Sequence, residues 1–293
     1  TGAHGPARRA RRVVDEARDA VAALCGVEPG SVVFTSGGTE ADDLAIDGVL
    51  DAVAERTGAD DHVAVCSAVE HPAVLEPVRH RGGHTVRVDR HGRLDLDHLD
   101  AVLVEHGDRV AVVSIMAANN EVGVCQPLDD VARIVRRRAP EAVLHTDAVQ
   151  AAAWIDLAPI AATVDLLSVS AHKIGGPKGV GALIVGSGVT VAPRLRGGGQ
   201  ERGRRSGTHN VAGIAGFGAA ATATAATRAD TVAQVAARRQ RLATAVAASV
   251  PAATVTVPAE VPQLPSILHL CIDGADSEVL LFLLDDAGVA ASA

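Results

Sequence analysis

Short apolar runs alternate along this chain with stretches of helix length, and run after run ends in a cluster of polar residues. The runs fall at 31–35, 62–67, 110–116, 142–146, 165–170 and 180–185. Helical patterns lie between several of them, at 41–54, 96–106 and 128–138. Strands joined by connections of that length form βαβ units, so the pattern predicts an α/β fold. Its central sheet is mainly parallel and covered by helices on both faces.

Two further stretches frame this core. Residues 7–25 predict a helix, with Val13, Ala17, Val21 and Leu24 on one face and Gly26 just past its end. From about residue 218 the character changes. An Ala-rich segment, 219–248, carries Val232, Val235, Leu242 and Val246 at helical spacing. A Pro-containing stretch at 250–265 then leads to a strand-like 267–272 and a helix-like 278–286. This organisation predicts a large domain over 1–229 and a smaller α+β domain over 230–293.

Composition narrows the function. Aromatic residues are only 1% of 293, namely Phe34, Trp154, Phe217 and Phe282, so the core must be built from Ala, Val, Leu and Ile. A formal charge of −8 argues against a nucleic-acid partner, which needs a net basic surface. The run Arg8, Arg9, Arg11, Arg12 reads as the solvated face of the first helix. No apolar run is long enough to span a bilayer, and the histidines form no tight metal spacing, so neither a membrane nor a metal is expected. Cys25, Cys66, Cys125 and Cys271 are widely separated and fall on or beside predicted elements. They are expected to be core thiols in a reducing compartment, which makes this a soluble protein of the cytoplasm.

In open α/β sheets, functional groups gather beyond the carboxyl ends of the strands. Ser36-Gly37-Gly38-Thr39-Glu40 follows the first run and opens a helix, where free N–H groups and the dipole favour an anion. The bland alternative is a Gly-rich turn with an N-cap Thr. Glu70-His71 follows the second run, where a lone histidine is more often a satisfied polar residue. Asn119-Asn120 follows the third, where polar residues also cap turns. Asp147 and Gln150 follow the fourth, and a buried carboxylate there needs a cationic or N–H partner. Ser170-Ala171-His172-Lys173 follows the fifth, and a lysine there is placed to act as a Schiff-base amine. Together these residues meet the needs of pyridoxal 5'-phosphate. Thr39 lies in a phosphate cradle, Lys173 offers the amine, and Asp147 is an acid for the ring nitrogen. Gln150 and Asn120 are donors to the ring hydroxyl, and His71 lies against the ring face.

The motifs resemble one family, the cysteine desulfurases of the NifS and IscS type, within the fold-type I, class V aminotransferase group. The matching stretches are SGGTEADDLAI (36–46), EHPAVLEP (70–77), NNEVG (119–123), HTDAVQ (145–150), SAHKIGGPKGVGAL (170–183) and GGGQERGRRSGT (197–208). The resemblance runs over essentially the whole chain. It implies that Lys173 carries the cofactor as an internal aldimine and moves the substrate α-proton. It implies that His71 stacks on the ring and serves in acid–base steps, and that Asp147 pairs with the ring nitrogen. Gln150 and Asn120 would reach the ring oxygen, and Gly38, Thr39, Ser170 and His172 would hold the phosphate. Thr208 would reach the phosphate of a partner subunit in a homodimer. The implied reaction converts L-cysteine to L-alanine and leaves a persulfide, whose sulfur passes to an acceptor or scaffold protein for iron–sulfur clusters, thiocofactors or tRNA.

Three elements of the family pattern have no match, one of them the family's N-terminal LDNAATTP-like motif, expected before Thr1. The nucleophilic cysteine and the arginine that binds the substrate carboxylate are both expected beyond Ala293, since 289–293 aligns with the residues just before that cysteine. The chain is therefore expected to be part of a longer polypeptide. The alternatives are another class V activity (an aminotransferase, or a selenocysteine or cysteine-sulfinate lyase) and a non-catalytic partner that keeps the fold.

Overall fold

The computed structural model describes residues 4–292. The chain opens with α1 (Gly5–Cys25), which ends where Gly26 takes a left-handed φ of 68°. Its buried face is Val14, Ala17, Val21, Ala22, Leu24 and Cys25. Val13, expected on that face, is turned partly outward, because the 3.6-residue repeat selects Val14 instead. Arg8, Arg9, Arg11 and Arg12 are all exposed.

Then follow β1 (Val32–Thr35), α2 (Gly38–Thr57), β2 (Val63–Ser67), α3 (Pro72–His80), β3 (His84–Val86), α4 (Leu96–His106), β4 (Val110–Ser114) and α5 (Leu128–Arg138). They are followed by β5 (Val143–Asp147), α6 (Leu157–Thr163), β6 (Leu166–Ser170) and β7 (Gly181–Val185). The seven strands form one sheet in the order β1-β7-β6-β5-β4-β2-β3. Only β7 runs against its neighbours, β1 and β6; every other pairing is parallel. The carboxyl ends of β1, β2, β4, β5 and β6 therefore share one edge of the sheet.

Both faces of the sheet are buried. Val33, Ala64, Cys66, Val112 and Leu183 pack with Leu44, Ile46 and Val49 of α2 and Val74 and Val78 of α3. Phe34, Val65, Val113, Leu144, Leu167 and Val169 pack on the other side with α1, α4, α5 and the start of the last long helix. That helix, α7 (Val211–Ser249), is 39 residues, or about 58 Å at 1.5 Å per residue. It begins eight residues before the Ala-rich segment that predicted it, because Asn210 caps it by accepting the Gly213 N–H at 3.0 Å. Only its first turns are buried, at Gly213, Ile214, Phe217, Gly218 and Ala221. A Cβ at Gly218 would lie 2.7 Å from Ala17 Cα, so glycine is what allows α1 and α7 to cross this closely.

Beyond α7, β8 (Ala253–Val255) and β9 (Leu270–Ile272) form an antiparallel pair, followed by α8 (Ser277–Asp286). Val279, Phe282 and Leu283 of α8 are exposed, as is Leu242 of α7. Cys25 and Cys66 are buried and Cys125 is half-buried, whereas Cys271 is exposed. The core-thiol expectation thus fails at Cys271, because among the described residues no layer packs over that side chain of the two-stranded sheet. Among the described residues no helix is long and apolar enough to cross a membrane.

Candidate active site

One cavity opens at the shared edge of the sheet. Gly38, Thr39, Asp42, His71, Met116, Ala118, Asn120, Asp147, Val149, Gln150, His172 and Lys173 line it. Eight of these are residues that the sequence picks out, drawn from five separate strand ends. Ser170 stands just behind, its hydroxyl 2.8 Å from His172 Nδ1. Thr208 is exposed and is not in this cavity.

The anion side of the cavity is the start of α2. The helix begins at Gly38 rather than at Ala41, and its N-cap is Gly37, which offers no side-chain cap. The first N–H groups of a helix have no partner within it, so here they are left for a ligand. Thr39 lies in this first turn and does not cap it. The turn also lies tight against β7. A Cβ at Gly181 would come within 2.7 Å of the Gly37 carbonyl carbon, so no larger residue fits there.

His71 is itself the N-cap of α3. Its Nδ1 accepts the Ala73 N–H at 3.1 Å, which leaves Nε2 as the ring atom that carries or moves a proton. Two bonds hold the segment before it. Glu70 Oε1 accepts the Met116 N–H at 2.8 Å, and Asn119 Nδ2 donates to the Val69 carbonyl at 3.0 Å. Asn119 Oδ1 also accepts the N–H groups of Glu121 and Val122, so Asn119 builds the loop and Asn120 is the neighbour that faces the cavity.

Asp147 ends β5. It is buried, and its Oδ1 accepts the Val149 N–H at 2.8 Å, the partner a buried carboxylate requires. Burial pushes its carboxyl upward, while the Val149 N–H and the nearby His71 and Lys173 side chains partly oppose it. Lys173 sits in a 3-10 turn, Ala171–Ile174, that ends where Gly175 takes φ 80°.

Behind this wall lies a buried polar group that sequence reasoning missed. Asp42 is 1% exposed and lines the cavity, and its Oδ1 has no hydrogen-bond partner among the described residues. His145 Nε2 is 3.7 Å from it, and the His145 ring bridges Ser114 at 2.8 Å and Ser168 at 3.0 Å. Burial lowers His145 to about 3, so the ring is neutral. Burial raises Asp42 well above the carboxylate range, with repulsion from Asp147 adding to it and the Ser168 hydroxyl opposing. A signal was present: Asp42 shares an α2 face with Ala45, Ile46 and Val49, all buried, and a carboxylate on an apolar stripe marks a site.

An uncapped helix start, an amine at one strand end and a buried carboxylate at another fit pyridoxal 5'-phosphate. Besides Asp42 Oδ1, the cavity wall holds Gln150 Oε1, buried and without a partner among the described residues. An α/β sheet with this constellation at one edge defines a class of protein, and the comparisons agree with it. The model of the aminotransferase class-V family matches residues 1–293, and the chain belongs to that family.

Within the family its relatives include cysteine desulfurases. The cysteine desulfurase of Cereibacter sphaeroides is 42% identical over 99% of this chain and 73% of its own length. The cysteine desulfurase NifS of Azotobacter vinelandii is 40% identical over 94% of this chain and 68% of its own. Among solved structures, a NifS-like protein superposes with a TM-score of 0.90 at 35% identity, covering 99% of this chain and 78% of that one. DndA from Streptomyces lividans gives 0.82 at 34% identity, covering 98% and 80%.

Proposed function

We propose that this chain holds pyridoxal 5'-phosphate in the cavity at the sheet edge and acts as a cysteine desulfurase. In that reaction L-cysteine gives L-alanine, and the sulfur passes as a persulfide to an acceptor protein. The observation that carries the reading is that Lys173 and buried Asp147 line one cavity whose third side is the uncapped start of α2. When bound, the cofactor supplies an electron sink for the carbanion formed at the substrate α-carbon.

The residues divide the remaining work. The Lys173 amine would hold the cofactor through its aldehyde and would take and return the substrate α-proton. Asp147 would hold the ring nitrogen through its carboxyl group. His71 covers the ring and offers Nε2 for proton transfer, the tautomer that its bond to the Ala73 N–H dictates. Gln150 and Asn120 reach the ring oxygen. Gly38 and Thr39 give the phosphate the N–H groups of the α2 start, and His172, oriented by Ser170, gives it a ring donor. Thr208 serves the phosphate of the second subunit in a homodimer. Residues 1–229 form the cofactor domain and 230–293 belong to a smaller domain. The protein works in the cytoplasm, where its free thiols stay reduced.

Borohydride reduction of the cofactor-loaded protein, followed by peptide mapping, tests the assignment. Label on Lys173 is the expected result. Label on Lys178, or none at all, would overturn it.

A further inference from the structure

The loop between β7 and α7 returns to the start of α2 and fixes one residue there. Arg205 Nε donates to Glu40 Oε1 at 2.7 Å, and its Nη2 donates to Glu40 Oε2 at 3.2 Å. Glu40 is the third residue of α2, and its Oε2 also accepts the Ser36 N–H at 2.6 Å. The carboxylate therefore stands within the turn whose open N–H groups face the cavity. A carboxylate favours that end of a helix, but it competes there with any other anion. Burial alone would push the Glu40 carboxyl up; Arg205 and Ser36 outweigh burial and hold it below the ordinary range, so it is charged at neutral pH.

The arrangement gives Arg205 two tasks. It cancels the one negative charge in the turn, and its fork turns both oxygens of Glu40 onto Arg205 and Ser36. The loop that delivers it is rigidly built. Ser206 N–H donates to the Leu195 carbonyl at 3.0 Å, Gly199 N–H to Ser206 Oγ at 3.2 Å, and Gly207 N–H to Gln200 Oε1 at 2.9 Å. Both side chains of the pair are mostly covered, 20% and 17% exposed, so solvent screens the charge of Glu40 only in part.

We propose that Arg205 is a positioning residue for the phosphate-binding turn, neutralising Glu40 so that the first N–H groups of α2 can donate to a phosphate dianion. This rests on the cofactor reading above and adds to it a residue that touches neither the cofactor nor the substrate. It also explains why an acidic residue can occupy the first turn of an anion cradle. Without Arg205 the carboxylate and the phosphate would repel each other across the same turn.

A binding cycle on the apoprotein tests this. Pyridoxal 5'-phosphate and phosphate-free pyridoxal are titrated by visible absorbance into wild type, Arg205→Met, Glu40→Gln, the double variant and Arg205→Lys. Arg205→Met is expected to bind the phosphate form about tenfold more weakly, the scale of an unpaired, partly covered charge, and pyridoxal unchanged. The double variant, with no carboxylate left to neutralise, is expected to recover to within about threefold of wild type, and Arg205→Lys to stay close to it. A double variant as weak as Arg205→Met, or an equal loss for pyridoxal, would show that Arg205 only scaffolds its loop, and would overturn the proposal. Wild type that binds neither ligand would instead sink the cofactor reading itself.

Discussion

Glu70 Oε1 accepts the backbone N–H of Met116 at 2.8 Å, so the end of β2 is fastened to the end of β4 directly beside His71. Glu70 is 4% exposed, and its other oxygen has no partner among the described residues. Removing the side chain leaves a buried N–H without an acceptor, a loss of about 1–3 kcal/mol. Glu70→Ala is expected to show that loss in urea unfolding, while Glu70→Gln, which keeps an acceptor oxygen, shows less than half of it. Equal losses in the two variants would mean that the bond to Met116 contributes nothing.

Arg18 and Glu201 form the second structural clasp. Arg18 Nη1 and Nη2 reach the two carboxylate oxygens at 2.8 and 2.7 Å, Phe34 N–H adds a bond at 2.8 Å, and His209 Nε2 lies 2.6 Å away. The clasp holds Glu201 and Arg202 at φ of 48° and 58°, left-handed values that cost side-chain-bearing residues energy. Arg18→Met strands a buried carboxylate, and a loss of about 3 kcal/mol or more is expected by urea unfolding. A loss under about 1 kcal/mol would place the clasp among surface pairs.

The parts of this arrangement differ in how far the sequence alone discloses them. The strands that carry the site are four- or five-residue apolar runs, buried at almost every position, and such runs stand out against their helical neighbours. The edge strand β3 does not, because His84 and Thr85 are not buried. The helix α3 is masked by Pro77 in its interior. The cavity residues lie at strand ends and are legible for that reason. The Glu40–Arg205 pair joins positions 165 residues apart, and nothing local to either one announces the other.

Asp42 gives the fold a pH dependence. Burial first, then the charge of Asp147, raises its carboxyl well above the ordinary range. The folded chain therefore holds this proton more tightly than the unfolded chain does. The contribution is fully present below the unfolded value and is lost as pH rises toward the raised folded one. Asp42→Asn removes the titration, so its stability should fall less than that of wild type between about pH 5 and about pH 8. Urea midpoints at the two pH values measure this. An unchanged slope would exclude Asp42 as the source.

The thiols should differ sharply in reactivity. Burial pushes Cys25 up to about 12, with Arg228 opposing, and Cys125 up to about 11. Cys66 is pushed up as well, by burial and by the nearby Glu70. Cys271 is the exposed one of the four. Peptide mapping after brief exposure of the native protein to a thiol-exchange reagent is expected to show Cys271 labelled first among these four, because rate follows thiolate access. Label on Cys25 or Cys66 as early as on Cys271 would contradict their burial.

The most direct test of the account is L-alanine formation from L-cysteine by the full expressed polypeptide, with pyridoxal 5'-phosphate and a reductant. Alanine and sulfide in equal amounts are predicted, with none from Lys173→Ala and about a hundredfold less from Asp147→Asn. Transfer of the amino group to an added keto acid, with no sulfide released, would contradict the account and make the site an aminotransferase.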